Sequence, residues 1–242
     1  SKGNGKEYLL VKENPNSPLL VVEPPEIDPN TNKPYKNLYV AGIDAIDMGR
    51  KDSASDSDVS DFCVVIKRRV FGMKDAKYVA MYKYRPEDIR QAYDVTLKLL
   101  TWYNCKAMLE YTKISIQTYF KDLNKTNLFM SRPAIALTGN AKNSRNRKQL
   151  IGLPATEAVI RHGLELIANF IADYWHTIDY EEMLDQMLNY TYDNKRKFDI
   201  IAAMIQCEIG DEDMSGLNPG TKIVQSDWKD FGWYTDDRGY KQ

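Results

Sequence analysis

The strongest constraint on the fold is a change in the spacing of apolar residues near Pro86. Before this point three apolar runs have the composition of β-strands, namely LYVAGID, FCVVIKRRV and KYVAMYKY. The second and third runs are separated by FGMKDA, which is typical of a hairpin connection. After Pro86, apolar residues recur at helical spacing as far as Tyr103. Pro86 suits the first turn of this helix, and Glu87 and Asp88 suit its positive end.

The rest of the chain combines one further strand with several helices. CKAMLEY predicts a fourth strand that ends in Glu110, and KISIQTYFKDL predicts a short helix. Residues 133–138, PAIALT, fit a fifth strand or a loop, and longer helical patterns cover 154–175, 180 to about 189, and the chain from near Lys197. This order predicts an α/β fold in which a mixed β-sheet, with a three-strand meander plus further strands, is flanked by helices.

Composition divides the chain into three predicted parts. Residues 1–36 are rich in Pro, Asn and Gly around the short apolar LLVVE, which predicts an interdomain linker with one edge strand. Residues 37–210 carry the strand and helix patterns and form the expected main domain. The acidic, Gly-rich and aromatic residues 211–242 are expected to form a tail packed on that domain. Residues 48–61 are too rich in Ser and Asp to pack.

The residue counts argue against several functional classes. The chain has 242 residues, of which 43% are hydrophobic, and its longest apolar runs fall short of the roughly 20 residues of a membrane span. Cys63, Cys105 and Cys207 lie far apart without CxxC spacing, and the two histidines form no HExxH motif. Reduced core cysteines are therefore expected instead of a disulfide framework or a zinc site. The net charge of -1 counts mildly against a sequence-blind nucleic-acid binder.

Three carboxylates fall at the ends of predicted elements. Asp44 ends the first strand of the meander, Glu110 ends the fourth strand, and Asp199 lies in the first turn of the last helix. If those two strands are neighbours, Asp44 and Glu110 face each other, and the last helix can bring Asp199 to the same point. Such oxygen ligands suit Mg²⁺ or Mn²⁺, and two ions about 4 Å apart can clamp a phosphodiester. Taken alone, Asp44 could instead be a turn-forming aspartate after the strand, and Asp199 could instead interact favourably with the helix dipole.

The motifs around these acids resemble the nuclease domain of the large terminase subunit of tailed bacteriophages, a ribonuclease H-like (RuvC-type) endonuclease. AGID at residues 41–44 matches the strand-ending GxD motif of this family, and SDFCVVI matches its strand-two aspartate at Asp61. MLEYTK resembles the acidic second motif, and RKFDIIAAM resembles the third. The similarity spans roughly residues 19–208, including RP at 132–133 and IGLPAT at 151–156.

The resemblance implies a ribonuclease H-like sheet and a Mg²⁺- or Mn²⁺-dependent endonuclease that uses two metal ions. Its catalytic and metal-binding residues would be Asp44, Glu110 and Asp199. Many relatives carry a pair of aspartates in the third motif, but Phe198 occupies the first place here. Asp193 is the nearby substitute, and two further candidate ligands are Asp61, from the strand-two motif, and Asp47, from the acidic loop after Asp44.

The resemblance also implies partners and a location. The substrate would be concatemeric double-stranded DNA, cut during packaging in the host cell cytoplasm at the procapsid. The terminase ATPase domain, the portal and the small terminase subunit would be partners, and the chain contains no GxxxxGK[ST] motif of its own. DNA contacts are expected from Lys113 and from a basic stretch, whose members are Lys142, Arg145, Arg147 and Lys148. A second basic cluster comprises Lys67, Arg68 and Arg69, and strand alternation would point Arg68 away from the other two.

Two alternatives remain open at this point. The first is a resolvase or transposase-type nuclease of the same fold, which would prefer branched DNA or specific ends. The second is a non-catalytic module that keeps the fold and docks on the packaging portal. Cleavage of linear duplex with little sequence preference, lost on substitution of Asp44 or Glu110, would favour the terminase nuclease over both.

Overall fold

The computed structural model describes residue 14 and residues 16–50, 60–136, 150–191 and 198–219. In these residues the strands are β1 (Leu19–Val21), β2 (Ile27–Asp28), β3 (Lys33–Pro34), β4 (Tyr39–Asp44), β5 (Phe62–Arg68), β6 (Lys77–Tyr84) and β7 (Lys106–Leu109). The α-helices of the same residues are α1 (Arg90–Trp102), α2 (Ile114–Asp122), α3 (Glu157–Tyr174), α4 (Glu181–Asn189) and α5 (Asp199–Asp213).

Five strands form one mixed sheet in the order β1-β6-β5-β4-β7. The meander β4-β5-β6 is antiparallel, β1 pairs with the outer edge of β6, and β7 pairs with β4 in parallel. The sheet is not closed into a barrel, and β2 and β3 form a separate two-stranded hairpin. The predicted α/β fold with a mixed, helix-flanked sheet is confirmed, and it is consistent with a ribonuclease H-like architecture. The predicted adjacency of β4 and the strand before Glu110 is confirmed as well.

Helices cover both faces of the sheet because the central strands are apolar on both sides. On β4, Tyr39, Ala41 and Ile43 pack in a core with residues of α1 and α2, whereas Val40 packs with residues of α3, α4 and α5. Side chains alternate between the two faces along a strand. Gly42 and Asp44 therefore share the face of Val40, which is the face covered by α5.

Gly42 allows α5 to lie directly on β4. A Cβ atom at position 42 would stand 2.0 Å from the carbonyl oxygen of Ala203 and 2.4 Å from the amide nitrogen of Cys207. Both atoms belong to the backbone of α5, which cannot yield without moving the helix. The glycine of the GxD motif thus sets how close α5, and Asp199 at its start, come to the sheet.

Gly42→Ala is expected to destabilise the fold by about 1–3 kcal/mol, the usual cost of inserting a methyl group into a packed core. The reason is that α5 must shift away from β4. Chemical denaturation of the variant measures the loss in unfolding free energy. Gly216→Ala is the matched control, since a Cβ at Gly216 would have no neighbour within 4 Å. Equal stability of the two variants would contradict this account of the packing.

The structure revises two predicted elements. The first long helix does not begin near Pro86, and α1 starts at Arg90 with no acidic residue in its first turn. Asp88 instead accepts a hydrogen bond from the backbone N–H of Arg90 at 3.0 Å, as a turn-forming aspartate does. Residues 133–138 were expected to form a fifth strand or a loop; where they are described no strand forms, and Ala134–Ala136 make one turn of 3₁₀ helix.

All three cysteines lie in the core. Cys63, Cys105 and Cys207 are free and buried, as predicted for reduced core cysteines. Among the described residues no helix combines the length and the apolar character required to cross a membrane. At the C-terminal end α5 runs to Asp213, three residues into the predicted tail, and the tail beyond residue 219 lies outside the described residues.

Candidate active site

Asp44 and Glu110 lie side by side at one edge of the sheet. Ile43 pairs with Leu109 in the parallel ladder of β4 and β7, so the next residues, Asp44 and Glu110, follow at the same level. Met108 packs in the same core as Val40, and alternation places Glu110 on the face of Met108. Both carboxylates therefore project towards the side of the sheet covered by α5.

Asp199 reaches this place from the N-terminus of α5. It is the first residue of the helix and only 5% exposed. Its Oδ2 atom accepts a hydrogen bond from the backbone N–H of Asp61 at 3.1 Å, which ties the start of α5 to the start of β5. Asp61, the predicted strand-two aspartate, is thus a direct neighbour of Asp199.

The ionisation of these acids is coupled. Burial, followed by the charges of Asp199 and Glu110, raises the pKa of Asp44 to about 8, and the charge of Lys113 opposes the rise. Burial also raises the pKa of Asp199 to about 6, against the hydrogen bond from Asp61 and the charge of Lys83. Each pKa shift reports charges in a region of low dielectric. The three predicted acids therefore interact electrostatically in one place.

The surroundings of Asp44 leave its carboxylate open to a ligand. In the described part of the chain it makes no hydrogen bond or ion pair, whereas Glu110 accepts a short hydrogen bond from the Thr112 hydroxyl. Asp44 and Glu110 line a cavity of about 120 Å³ whose other walls come from Pro154, Ala155 and residues of α3 and α5. This space holds several water-sized groups. It gives access to two of the three acids.

The fit of these residues to a metal ion depends on donor chemistry and on distance. The donors are carboxylate oxygens, which Mg²⁺ and Mn²⁺ prefer. Within the described ranges, however, no three His, Cys, Asp or Glu side chains lie close enough to share one ion. Binding by all three acids therefore requires side-chain rotations that bring their oxygens together. The donor set fits a hard divalent cation, and Asp44 with Asp199 would hold it first, since the charge of Asp199 opposes ionisation of the buried Asp44.

The additional predicted ligands have different positions. Asp47 is exposed, and its Oδ1 atom accepts a hydrogen bond from the backbone N–H of Ser115 at the start of α2, at 3.3 Å. This contact stabilises the helix N-terminus. Asp193 lies outside the described residues. Phe198, which replaces the first aspartate of the third motif, precedes α5 and contacts Tyr190 with its ring.

Of the predicted DNA contacts, Lys113 lies beside the acids. It directly precedes α2, and its charge lowers the pKa of Asp44. The basic stretch with Lys142, Arg145, Arg147 and Lys148 lies outside the described residues.

The second basic cluster is not available to DNA. Lys67 and Arg69 are buried and form ion pairs with Asp211 of α5, while Arg68 pairs with Glu23 on the other face. The prediction that Arg68 points away from its neighbours is confirmed. The strands are central, so burial and pairing with acids explain these charges.

Two residues next to the acids were not recognised from the sequence. Lys83 of β6 places its Nζ atom 2.7 Å from Glu182 and 3.1 Å from Asp61. Glu182 lies in the first turn of α4. Strand alternation in KYVAMYKY assigns Lys83 to one face of β6, but its partners come from elements up to 99 residues away. Sequence periodicity alone could not bring these residues together.

Mn²⁺ is expected to stabilise the chain, and more strongly as pH rises from 6 to 8.5. The pKa values in the folded chain are about 8 for Asp44 and about 6 for Asp199, both above the ordinary value for an aspartate. These two groups therefore stabilise the fold fully below a pH of about 4, and the stabilisation is lost as the pH rises through their folded pKa values. A cation that replaces the protons offsets this loss. At about 100 times the dissociation constant the gain is about 2.7 kcal/mol, or roughly 5–10 °C. Differential scanning calorimetry measures it, and an unchanged melting temperature at pH 8.5 would contradict the site.

Comparison with known proteins adds no assignment to this geometry, because neither a protein-family model nor a curated protein sequence matches the chain.

Proposed function

We propose that this chain is a Mg²⁺- or Mn²⁺-dependent endodeoxyribonuclease, and that it is the nuclease domain of a phage terminase large subunit. The observation that carries the proposal is the electrostatic coupling of Asp44, Glu110 and Asp199 at one end of the sheet. These acids are remote in sequence and come from three different elements. A carboxylate whose pKa is raised by burial and by neighbouring carboxylates at the rim of a cavity, as that of Asp44 is, is a recurring feature of catalytic sites.

The chemistry of these acids favours phosphodiester hydrolysis. A bound divalent ion would lower the pKa of a water molecule and stabilise charge on the phosphate oxygens. Asp44, Asp199 and Glu110 would hold this ion, and the Asp61–Asp199 hydrogen bond orients the Asp199 carboxylate. Without a cation the acids repel a phosphate, so DNA binding at this site is expected to depend on metal. Lys113, whose charge opposes the rise in the pKa of Asp44, would contact a phosphate oxygen of the bound DNA.

The terminase assignment rests on the sequence motifs together with the sheet order. AGID, SDFCVVI, MLEYTK and RKFDIIAAM supply the acids at β4, β5, β7 and α5 in the order that the resemblance implies. On this proposal the substrate is concatemeric double-stranded DNA, and the partners are the terminase ATPase domain, the portal and the small subunit. The place of action is the procapsid in the host cytoplasm.

Cleavage of supercoiled plasmid tests the proposed activity. The chain is incubated with millimolar Mn²⁺ or Mg²⁺, and nicked and then linear plasmid is expected, with cleavage stopped by EDTA. Linear duplex and a four-way junction of equal length are compared in the same assay. Similar rates on both support a terminase nuclease, whereas strong preference for the junction would favour a resolvase. Folded protein that cuts none of these substrates in either metal would overturn the proposed activity.

A further inference from the structure

The ammonium group of Lys83 is a positive charge next to the acidic residues, on the β6 side of the site. Its Nζ atom contacts Glu182 Oε1 at 2.7 Å and Asp61 Oδ2 at 3.1 Å, and its side chain is 18% exposed. The backbone N–H of Asp61 in turn binds Asp199. Lys83 is therefore connected to a predicted metal ligand through a single residue.

The register of the sheet fixes where this cation stands relative to Asp44. Lys83 pairs with Cys63 across β6 and β5, and Cys63 pairs with Asp44 across β5 and β4. Residues opposite each other in a ladder share one face of the sheet. Neighbouring strands are about 4.8 Å apart, so the row from Asp44 to Lys83 spans about 10 Å at the backbone. Asp199 lies near this row, because its Oδ2 atom accepts a hydrogen bond from the backbone N–H of Asp61, whose side chain pairs with Lys83.

We propose that Lys83 takes the place of a second divalent cation, so that the site binds one metal ion, held on the Asp44 side. This inference rests on the proposed function and departs from the two ions that the family resemblance implies. A second ion on the Asp199 side would need oxygens of Asp61 or Glu182, which the Lys83 ammonium already contacts. It would also stand close to a positive charge in a poorly solvated place.

The ion pairs of Lys83 hold it firmly in that position. Both contacts are charge-assisted hydrogen bonds, and the partners are Asp61, which directly precedes β5, and Glu182 of α4. An ammonium with two carboxylate partners is more costly to displace than a solvated lysine on the surface. The single ammonium thus offsets one of the two negative charges of Asp61 and Glu182 and occupies their oxygens, and one divalent ion remains to be bound by Asp44, Asp199 and Glu110.

Counting bound Mn²⁺ tests the inference. The full chain is titrated at pH 8 by isothermal titration calorimetry, with free Mn²⁺ followed by electron paramagnetic resonance, alone and with a phosphorothioate duplex. The wild-type chain is expected to bind one ion in both cases. Lys83→Met is expected to bind two, because Asp61 and Glu182 become free to coordinate the second. Lys83→Arg keeps the positive charge and is expected to remain at one.

Lys98→Met is the matched control, because Lys98 lies on α1 and, among the described residues, pairs there with the exposed Asp94 carboxylate. It should bind one ion like the wild type. Two ions on the wild-type chain would overturn the inference and leave the proposed nuclease intact, as would a count that stays at one in folded Lys83→Met. No bound ion on the wild-type chain would overturn the inference and the proposed function together. The wild-type count decides the matter even if Lys83→Met does not fold.

Discussion

Asp44→Asn is expected to reduce Mn²⁺-dependent plasmid cleavage by at least about 100-fold, the scale seen when one group that stabilises charge in a transition state is removed. Asparagine keeps the shape of the side chain but lacks the negative charge that holds the ion. The same variant is expected to melt at a higher temperature than the wild type when EDTA is present. The reason is that burial and the charges of Asp199 and Glu110 oppose ionisation of Asp44 in the folded chain.

The opposite signs of these two effects distinguish a functional acid from a structural one. Cleavage of supercoiled plasmid measures the first effect, and calorimetry between pH 4 and pH 8.5 measures the second. The difference in melting temperature between Asp44→Asn and the wild type should grow as pH rises through this range. Asp94→Asn is the control, since Asp94 is exposed on α1 and pairs with Lys98. Wild-type cleavage by Asp44→Asn would assign the activity to another site or to a contaminant.

Lys67→Met is expected to lower the free energy of unfolding by about 3–5 kcal/mol, the usual cost of removing one partner of a buried ion pair. The Nζ atom of Lys67 lies 2.6 Å from Glu208 and 2.8 Å from Asp211. Tyr78 donates a hydrogen bond to the other oxygen of Glu208 at 2.6 Å. Burial raises the pKa of Glu208, and Lys67 is the main group that opposes the rise. Without Lys67 the folded chain must bury an unpaired carboxylate or take up a proton.

Two comparisons separate the charge of Lys67 from its packing. Urea denaturation of Lys98→Met, where the exposed pair is lost, should show a change of less than about 1 kcal/mol. Adding Glu208→Gln to Lys67→Met should recover part of the loss, because the orphaned charge disappears. A loss in Lys67→Met below about 1 kcal/mol would contradict the account of this buried network.

Strand and helix patterns could be predicted because they follow from local periodicity. The runs that form β4, β5 and β6 alternate or are apolar throughout, and the GxD position of Asp44 follows from the end of its run. To predict that Asp44 and Glu110 are close in space, one further assumption was required, namely that β4 and β7 are adjacent. The parallel ladder between these strands confirms it. The start of α1 was missed because Asp88 can serve either a helical first turn or a turn before the helix.

The burial and the ion-pair partners of charged residues were harder to predict, because the partners are remote in sequence. Lys67 looks like a surface cation in FCVVIKRRV, but Glu208 and Asp211 bury it against α5. Lys83 was overlooked for the same reason, since its partner Glu182 comes from α4. A lysine on a central strand has no water to face, so a buried acid is required to accompany it. Burial of the strand was predictable, whereas the identity of the acid was not.

The proposed nuclease activity requires that a divalent ion binds between Asp44, Glu110 and Asp199. Anomalous diffraction from crystals soaked in Mn²⁺ measures this directly. We expect one anomalous peak about 2.0–2.3 Å from carboxylate oxygens of Asp44 and Asp199, with Glu110 turned towards it and the Lys83–Glu182 pair retained. An absence of any peak there at saturating Mn²⁺, or a peak only at acids elsewhere on the molecule, would contradict the central claim.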